Sequence, residues 1–311
     1  MNTLREAMQD YLAMRRSLGF KMYEAGLKLP QFVDFVEHRR ASRITIPLAL
    51  EWAQQRNGVR PPEWARRLSF VRGLARYRSA TDPLTEIPPW GLLPHRAGRA
   101  KPYLYTQIEV EGLLTAALEL SPAKGLRPWT YFCLFGLLSV SGMRIGEALD
   151  LKVKDVDLGT AVLTIEGAKF GTSRLAPIHA STAAVLADYL ERRERFLAGR
   201  DEASNLFVSS RGTRLDGGEV RRTFYALSRQ TGLRGPGASH GPRLHDFRHR
   251  FAGLTLLHWY QAGQDAERRL PVLSTYLGHV HVADTYWYFS AWPELMAQAM
   301  QRLEHRWGEQ P

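Results

Sequence analysis

One cysteine in 311 residues leaves Cys133 with no intrachain partner, so a disulfide framework is excluded and a reducing compartment is expected. Cys133 also sits inside an apolar run, without the electropositive surroundings that lower a thiol pKa, which argues against a role as nucleophile or ligand. That run, around Tyr131 to Val140, is the longest apolar stretch and falls far short of the roughly 20 residues of a bilayer span, so it reads as a buried helix. No membrane span is expected. The N-terminus begins Asn2, Thr3, with Arg5 and Glu6 close behind, and has no apolar signal core, which points to a cytoplasmic protein. A glycine-rich phosphate loop is missing as well, so nothing suggests a bound nucleotide. Acidic residues are scarce beside basic ones: 31 Asp and Glu face 42 Lys and Arg, a net charge of +11. Counterion release and electrostatic steering then favour a polyanionic partner, nucleic acid ahead of an anionic membrane surface.

What is present is the composition of a globular protein, 44% hydrophobic and 23% charged, on a chain long enough for about two domains. Residues 1–80 are expected to form a small helical domain. Thr3 and Glu6 make a capping-box pattern ahead of Leu4, Met8, Tyr11 and Leu12 at helical spacing. Pro47 opens a second helix through Leu48 and Trp52, and Pro61 and Pro62 precede a third with the stripe Trp64, Leu68, Val71 and Ala75. This third helix also carries Arg66, Arg67, Arg72, Arg76 and Arg78, which surround the stripe instead of forming one line. They suit a solvated face or a DNA-contacting one, with Arg66, Arg67 and Arg72 the candidates for contact.

Residues 81–101 change character, with Pro83, Pro88, Pro89, Pro94 and the basic Arg96, Arg99 and Lys101, and read as an interdomain linker. From residue 61 to 101 eight Lys and Arg face three Asp and Glu, so this stretch suits a path across a phosphate backbone, with Arg99 and Lys101 as contacts. Residues 102–311 are expected to form a second, mainly helical domain. Helices are expected at Thr106 to Leu120, Pro128 to Val140, after Arg144, and from about Ser181, Gly218, His245 and Asp265, with a tail helix from Pro293. Ala161 to Glu166 and Arg174 to Ile178 read as a β-hairpin. The expected class is mainly α with one small antiparallel sheet.

Within the second domain Arg144, Lys169, His245, Arg248, His279 and Tyr288 form, in that order, a set able to break a phosphodiester. A phenol has an unperturbed pKa near 10, so a nucleophilic tyrosine needs positive charge around the phosphate and a route for its proton. Arg144 and Arg248 can supply the charge, because a guanidinium fork matches paired phosphate oxygens. A departing 5′-oxygen needs a positioned acid, and Lys169, on the hairpin loop from Gly167 to Arg174, is the candidate; alone it would read as a solvated turn residue. His245 and Arg248 are three apart and share one face of a helix. A zinc site at His245, His249, His279 and His281 is the rival reading, opposed by the neighbouring Arg248 and Arg250 and by the lack of a Cys or well-placed Glu to complete it, so no metal is expected.

As a group these residues resemble the tyrosine recombinase family, of the phage integrase and Xer type. Ser141-Gly-Met-Arg-Ile-Gly-Glu-Ala-Leu149 is similar to the family's first box, and Lys169 matches its hairpin lysine. Leu244-His-Asp-Phe-Arg-His249 is similar to its second box, and Tyr276-Leu-Gly-His279 supplies its later histidine. The family tyrosine lies nine residues beyond that histidine, which selects Tyr288 over Tyr286. The resemblance implies a core-binding domain in the first hundred residues and a catalytic domain after it. It also implies attack by Tyr288, a 3′-phosphotyrosyl intermediate and a freed 5′-hydroxyl, with His245 in proton transfer, His279 on the phosphate and no cofactor. Arg174 and Arg243, beside the hairpin lysine and the second box, are further expected DNA contacts. Double-stranded DNA is the implied partner, bound by a homotetramer on paired sites, with other recombinases of the same element as further partners. The segment from Ser290 to Trp307 would be exchanged between neighbours or pack on its own domain. Thr172 stands where many relatives have a second basic residue, which leaves Lys169 as the one lysine of that loop. Nothing before residue 1 answers to an arm-binding domain, so a simple Xer or transposon type is expected. The alternatives are a type IB topoisomerase and an accessory factor that binds without cutting.

Overall fold

The computed structural model describes the chain except residues 1–2, 56–57, 59–60, 95–100, 168–172, 200–202, 239 and 309–311. It divides into two compact units, Met1–Ala100 and Lys101–Pro311. The first holds α1 (Leu4–Ser17), α2 (Tyr23–His38), α3 (Ile46–Gln54) and α4 (Pro61–Arg78). The Thr3 hydroxyl accepts from the Glu6 N–H while the Glu6 carboxylate accepts from the Thr3 N–H, closing the capping box at the start of α1. α2 is a helix that the sequence concealed: Pro30 lies in its interior, although Ala25, Leu29, Phe32, Val33 and Val36 keep helical spacing and are all buried. Phe32 packs edge-on against Trp52, and both sit in one core with Leu29, Leu68 and Val71.

The stretch expected to be an interdomain linker, 81–101, packs in good part on this first unit. The Glu86 N–H donates to the Ile44 carbonyl, its carboxylate accepts from the Ile46 N–H, and Leu93 is buried in the same core. Its prolines rigidify a strap that offers carbonyls to α4. Arg96 and Arg99 lie outside the described residues.

The second unit contains α5 (Gln107–Leu118), α6 (Arg127–Ser141), α7 (Ile145–Asp150), β1 (Val156–Asp157), β2 (Val162–Ile165), β3 (Arg174–Pro177), α8 (Ala180–Leu197) and α9 (Gly217–Gln230). α10 (Leu244–Gln261), α11 (Ala266–Leu277), α12 (Ala283–Ala291) and α13 (Pro293–Gly308) complete it. The class is as expected, mainly helical with one small antiparallel sheet, here of three strands in the order β1-β2-β3. β1 escaped the sequence because two residues show no alternation. In the register of β2 and β3, Leu163 pairs with Ala176 and Ile165 with Arg174. α12 was also missed, being nine residues long with no cap signal before it.

α10 is the spine of this unit. Its first half sends Phe247 into the core with Phe135, Tyr189 and Phe224, and its second half sends Ala252 and Leu256 into another with Leu277, Tyr288, Trp292 and Leu295. α13 therefore packs on α10 of its own chain, through Trp292 and Leu295. Cys133 is buried in the first of these cores, where burial pushes its thiol up to about 12. No helix among the described residues is long and apolar enough to cross a membrane.

Candidate active site

α6 stops at Gly142, whose φ of 60° is left-handed and whose missing Cβ leaves room for Phe251: a Cβ there would lie 2.6 Å from the ring. The turn delivers Arg144 as the N-cap of α7, with its own N–H held by the Glu147 carboxylate at 2.9 Å. Arg243 caps α10 in the same way, through the buried Asp246. Phe247 points into the core, as expected, and His245 and Arg248 share the remaining face.

α11 ends at Gly278, again left-handed at φ 68°, leaving its last carbonyls without helical partners and its C-terminus partly negative. Three arginines converge on that end. Arg174 Nε donates to the Tyr276 carbonyl at 2.7 Å, Arg248 Nη2 to Leu277 at 2.7 Å and Arg144 Nη2 to Gly278 at 2.8 Å. Arg248 also donates through Nη1 to the Gly142 carbonyl at 3.0 Å, which ties the two sequence boxes together. The carbonyls fix the orientation of each guanidinium. Burial lowers the Arg248 pKa to about 10, so the group is still charged at neutral pH.

Tyr288, 4% exposed, lies in this pocket beside the Arg248 guanidinium. Its ring is stacked on His279 with centroids 6.0 Å apart and meets His249 edge-on at 5.4 Å. Tyr286, the competing tyrosine, is 55% exposed. His279 pairs through Nδ1 with the Thr285 hydroxyl at 2.8 Å, and burial followed by the Arg248 and Arg144 charges lowers its pKa to about 4. It is neutral at pH 7. His245 stands at the open rim: solvent reaches its ring, yet the protein packed around it and the Arg248 charge hold its pKa below the ordinary histidine value. Two neutral imidazoles, the Arg144 guanidinium and one phenol thus gather around Arg248, an arrangement suited to phosphoryl transfer.

The structure brings Arg144, His245, Arg248, His279 and Tyr288 together; Lys169 lies outside the described residues. The expected DNA contacts divide. Arg66 is exposed, paired with Glu24 and Glu63, and Lys101 is exposed. Arg243 is partly exposed beside Asp246. Arg67 and Arg72, however, are turned inward: Arg67 stacks on Trp52 and donates to its carbonyl at 2.8 Å, and Arg72 covers Trp90 and donates to the Pro88 and Pro89 carbonyls. Both donate to carbonyls of neighbouring segments, which is how α4 can bury them. Arg174 is buried as well, against Glu147. Arg99 lies outside the described residues.

Two features escaped the sequence reading. Glu147 is a buried carboxylate whose two oxygens accept from both Arg144 and Arg174; burial would push its carboxyl up, but hydrogen bonds from Arg174 and Arg144 outweigh this and hold it below the usual carboxylate range. Its place three residues after Arg144 is the capping-box spacing, the signal that could have found it. The other is the exposed row Arg221, Arg222 and Arg229 on α9, whose opposite face buries Val220, Phe224 and Leu227. The described residues contain no group of three His, Cys, Asp or Glu placed to hold a metal ion.

Residues 105–294 match the model of the phage integrase family. Over 311 residues, 99% of each chain, the sequence is 59% identical to y4rB of Sinorhizobium fredii, which carries an integrase/recombinase designation. It is 32% identical over 246 residues to the tyrosine recombinase XerD of Caulobacter vibrioides, covering 78% of this chain and 75% of that one. Among solved structures, the XerH site-specific recombinase bound to its palindromic difH substrate superposes with a TM-score of 0.64 at 20% identity, over 94% of this chain and 80% of that one. The Tn1549 transposon integrase with transposon right-end DNA gives 0.66 at 16% identity, over 98% and 99%. At such identities the structures show a shared fold, while the family match and the sequence relatives show kinship: the chain belongs to the phage integrase family of tyrosine recombinases.

Proposed function

We propose that this protein is a site-specific DNA recombinase in which Tyr288 attacks the scissile phosphate, forms a 3′-phosphotyrosyl bond and releases a 5′-hydroxyl. The observation that carries the assignment is the buried pocket in which the Tyr288 ring stacks on His279 beside the buried Arg248. Arg144 and Arg248 stabilise the two non-bridging oxygens as charge builds on phosphorus. His245, neutral and at the open rim, accepts the phenolic proton, and His279 hydrogen-bonds the phosphate through its remaining ring nitrogen, since Nδ1 is engaged by Thr285. Lys169 protonates the leaving 5′-oxygen. The bond energy is kept in the phosphotyrosine, so rejoining needs neither ATP nor a metal. The first unit, 1–80, serves as a core-binding domain, 81–101 as the strap that follows it and 102–311 as the catalytic domain, with Arg66, Lys101, Arg243 and the α9 arginines as DNA contacts. A tetramer on two sites carries out the exchange in the cytoplasm, and integration is the role that the designation of the y4rB relative favours.

The test is covalent trapping on a nicked substrate carrying the protein's own site, located first by footprinting. Wild type should form an adduct whose digestion maps to Tyr288, and Tyr288→Phe should form none. An adduct at another residue, or relaxation of plasmids lacking any site, would overturn the assignment.

A further inference from the structure

β3 alternates as a strand on a core should, with Ala176 turned inward, but it places an arginine on the inner face and a leucine on the outer one. Leu175 is 64% exposed, whereas the Arg174 side chain is only 9% exposed, because its register partner Ile165 faces the core and antiparallel partners share a face. Burying an arginine while exposing a leucine is unfavourable by itself, so Arg174 must be held by strong partners. It is: Nη1 and Nη2 grip the two Glu147 oxygens at 3.2 and 2.8 Å, and Nε donates to the Tyr276 carbonyl. Gly278 also lets it pass, since a Cβ there would stand 2.7 Å from Nη1. One side chain thus joins three elements: the hairpin strand β3, the helix α7 that starts at Arg144, and the end of α11 that leads to His279.

We propose that Arg174 is a positioning residue for DNA cleavage, setting Arg144 through the shared Glu147 carboxylate while the Tyr276 carbonyl anchors its own guanidinium. The inference rests on Arg144 acting as a phosphate ligand. Each Glu147 oxygen takes one guanidinium hydrogen from Arg174 alongside those from Arg144, so the carboxylate cannot rotate to engage Arg144 alone. Arg174 also neutralises Glu147. That leaves the positive charges of Arg144 and Arg248 unspent, two against the two negative charges that a phosphodiester carries when phenolate adds to it. Without Arg174 the buried carboxylate would claim Arg144 for itself, and the Tyr276 carbonyl would lose its donor.

The experiment compares adduct formation by wild type, Arg174→Ala and Arg144→Ala on two nicked substrates. One has a normal scissile phosphate. The other has a methylphosphonate, which lacks one non-bridging oxygen and its charge. Arg174→Ala should slow cleavage of the phosphate by about 10- to 100-fold while slowing the methylphosphonate by no more than about 3-fold, with DNA affinity held within about 3-fold. Added to Arg144→Ala it should cost less than about 3-fold more, because both act on one interaction. Equal losses on both substrates, full additivity, or no loss would overturn the proposal. Should Arg174→Ala fail to fold, Arg174→Lys keeps the charge but cannot span Glu147 and Tyr276 together, and must show the same substrate-dependent loss. A wild type that forms no adduct at Tyr288 refutes the cleavage mechanism itself; a reactive wild type matched by Arg174→Ala refutes only the role of Arg174.

Discussion

Gly253 lies on α10 directly beneath the Trp292 indole: a Cβ built there would lie 1.9 Å from Cε3, 2.0 Å from Cζ3 and 2.7 Å from Cδ2. Substituting Gly253→Ala sets two effects against each other. Alanine is the better helix former by about 1 kcal/mol. Carbon atoms, however, settle at about 3.5–4.0 Å, so the indole would have to retreat by roughly 1.5–2 Å from a packed site. Overpacking of that kind is destabilising by about 1–3 kcal/mol, and full expulsion of the ring approaches the roughly 3–5 kcal/mol of a buried Trp→Ala change. Sterics should win, and the loss should concentrate where Trp292 anchors the chain, in α12 and α13. With about 1.4 kcal/mol per factor of ten, amide exchange across 283–308 should accelerate by about 10- to 100-fold relative to α6 in the same sample. Hydrogen exchange with mass detection reads this directly, and Gly253→Ala combined with Trp292→Leu should restore much of the protection. Unchanged or slower exchange, with a raised Tm, would mean that helix propensity outweighs the clash and that Trp292 does not hold the C-terminal helix on its own domain.

Arg144→Ala and Arg248→Ala should each cut the rate of adduct formation by about 10²- to 10³-fold with much of the DNA binding retained in gel-shift titrations; a rate within a few-fold of wild type would exclude either guanidinium from the transition state. In DNA-free protein the His279 ring resonances should show no titration between pH 8 and 5, and the midpoint should lie near 4. Because the folded pKa is depressed, the unfolded chain takes up the proton first, so stability should fall as pH drops from about 6.5 towards 4, less steeply in His279→Asn; an NMR midpoint near 6.5 contradicts this. Lys169→Ala should slow cleavage and be rescued by a substrate with a 5′-thiol leaving group, which needs no acid; absence of rescue removes it from that role. EDTA should leave cleavage unchanged, and inhibition reversed by added metal would rule out the metal-free mechanism.

The side chains themselves disclosed much of this protein. Arg144, His245, Arg248, His279 and Tyr288 were legible as candidates because phosphodiester cleavage by a phenol needs such groups and His245 and Arg248 share a helix face by spacing, but only the family resemblance joined them into one set and chose Tyr288 over Tyr286. The helical class followed from apolar periodicity, except where Pro30 masked α2 or where β1 and α12 were too short to show a pattern. What stayed hidden was the fate of each cation. Arg66 and Arg67 are neighbours on one helix, yet one pairs at the surface and the other is buried on Trp52, and Arg174 reads as a basic hairpin residue until the register turns it inward. An arginine turns inward only where unpaired carbonyls or a buried carboxylate await it. Those partners are brought by distant parts of the chain: the carbonyl that orients Arg144 belongs to Gly278, 134 residues away, and the one that Arg248 meets at Gly142 lies 106 residues away. Local sequence specifies which groups can act on a phosphate, while chain folding over such separations decides which of them are aimed at it and which are consumed in holding the others still.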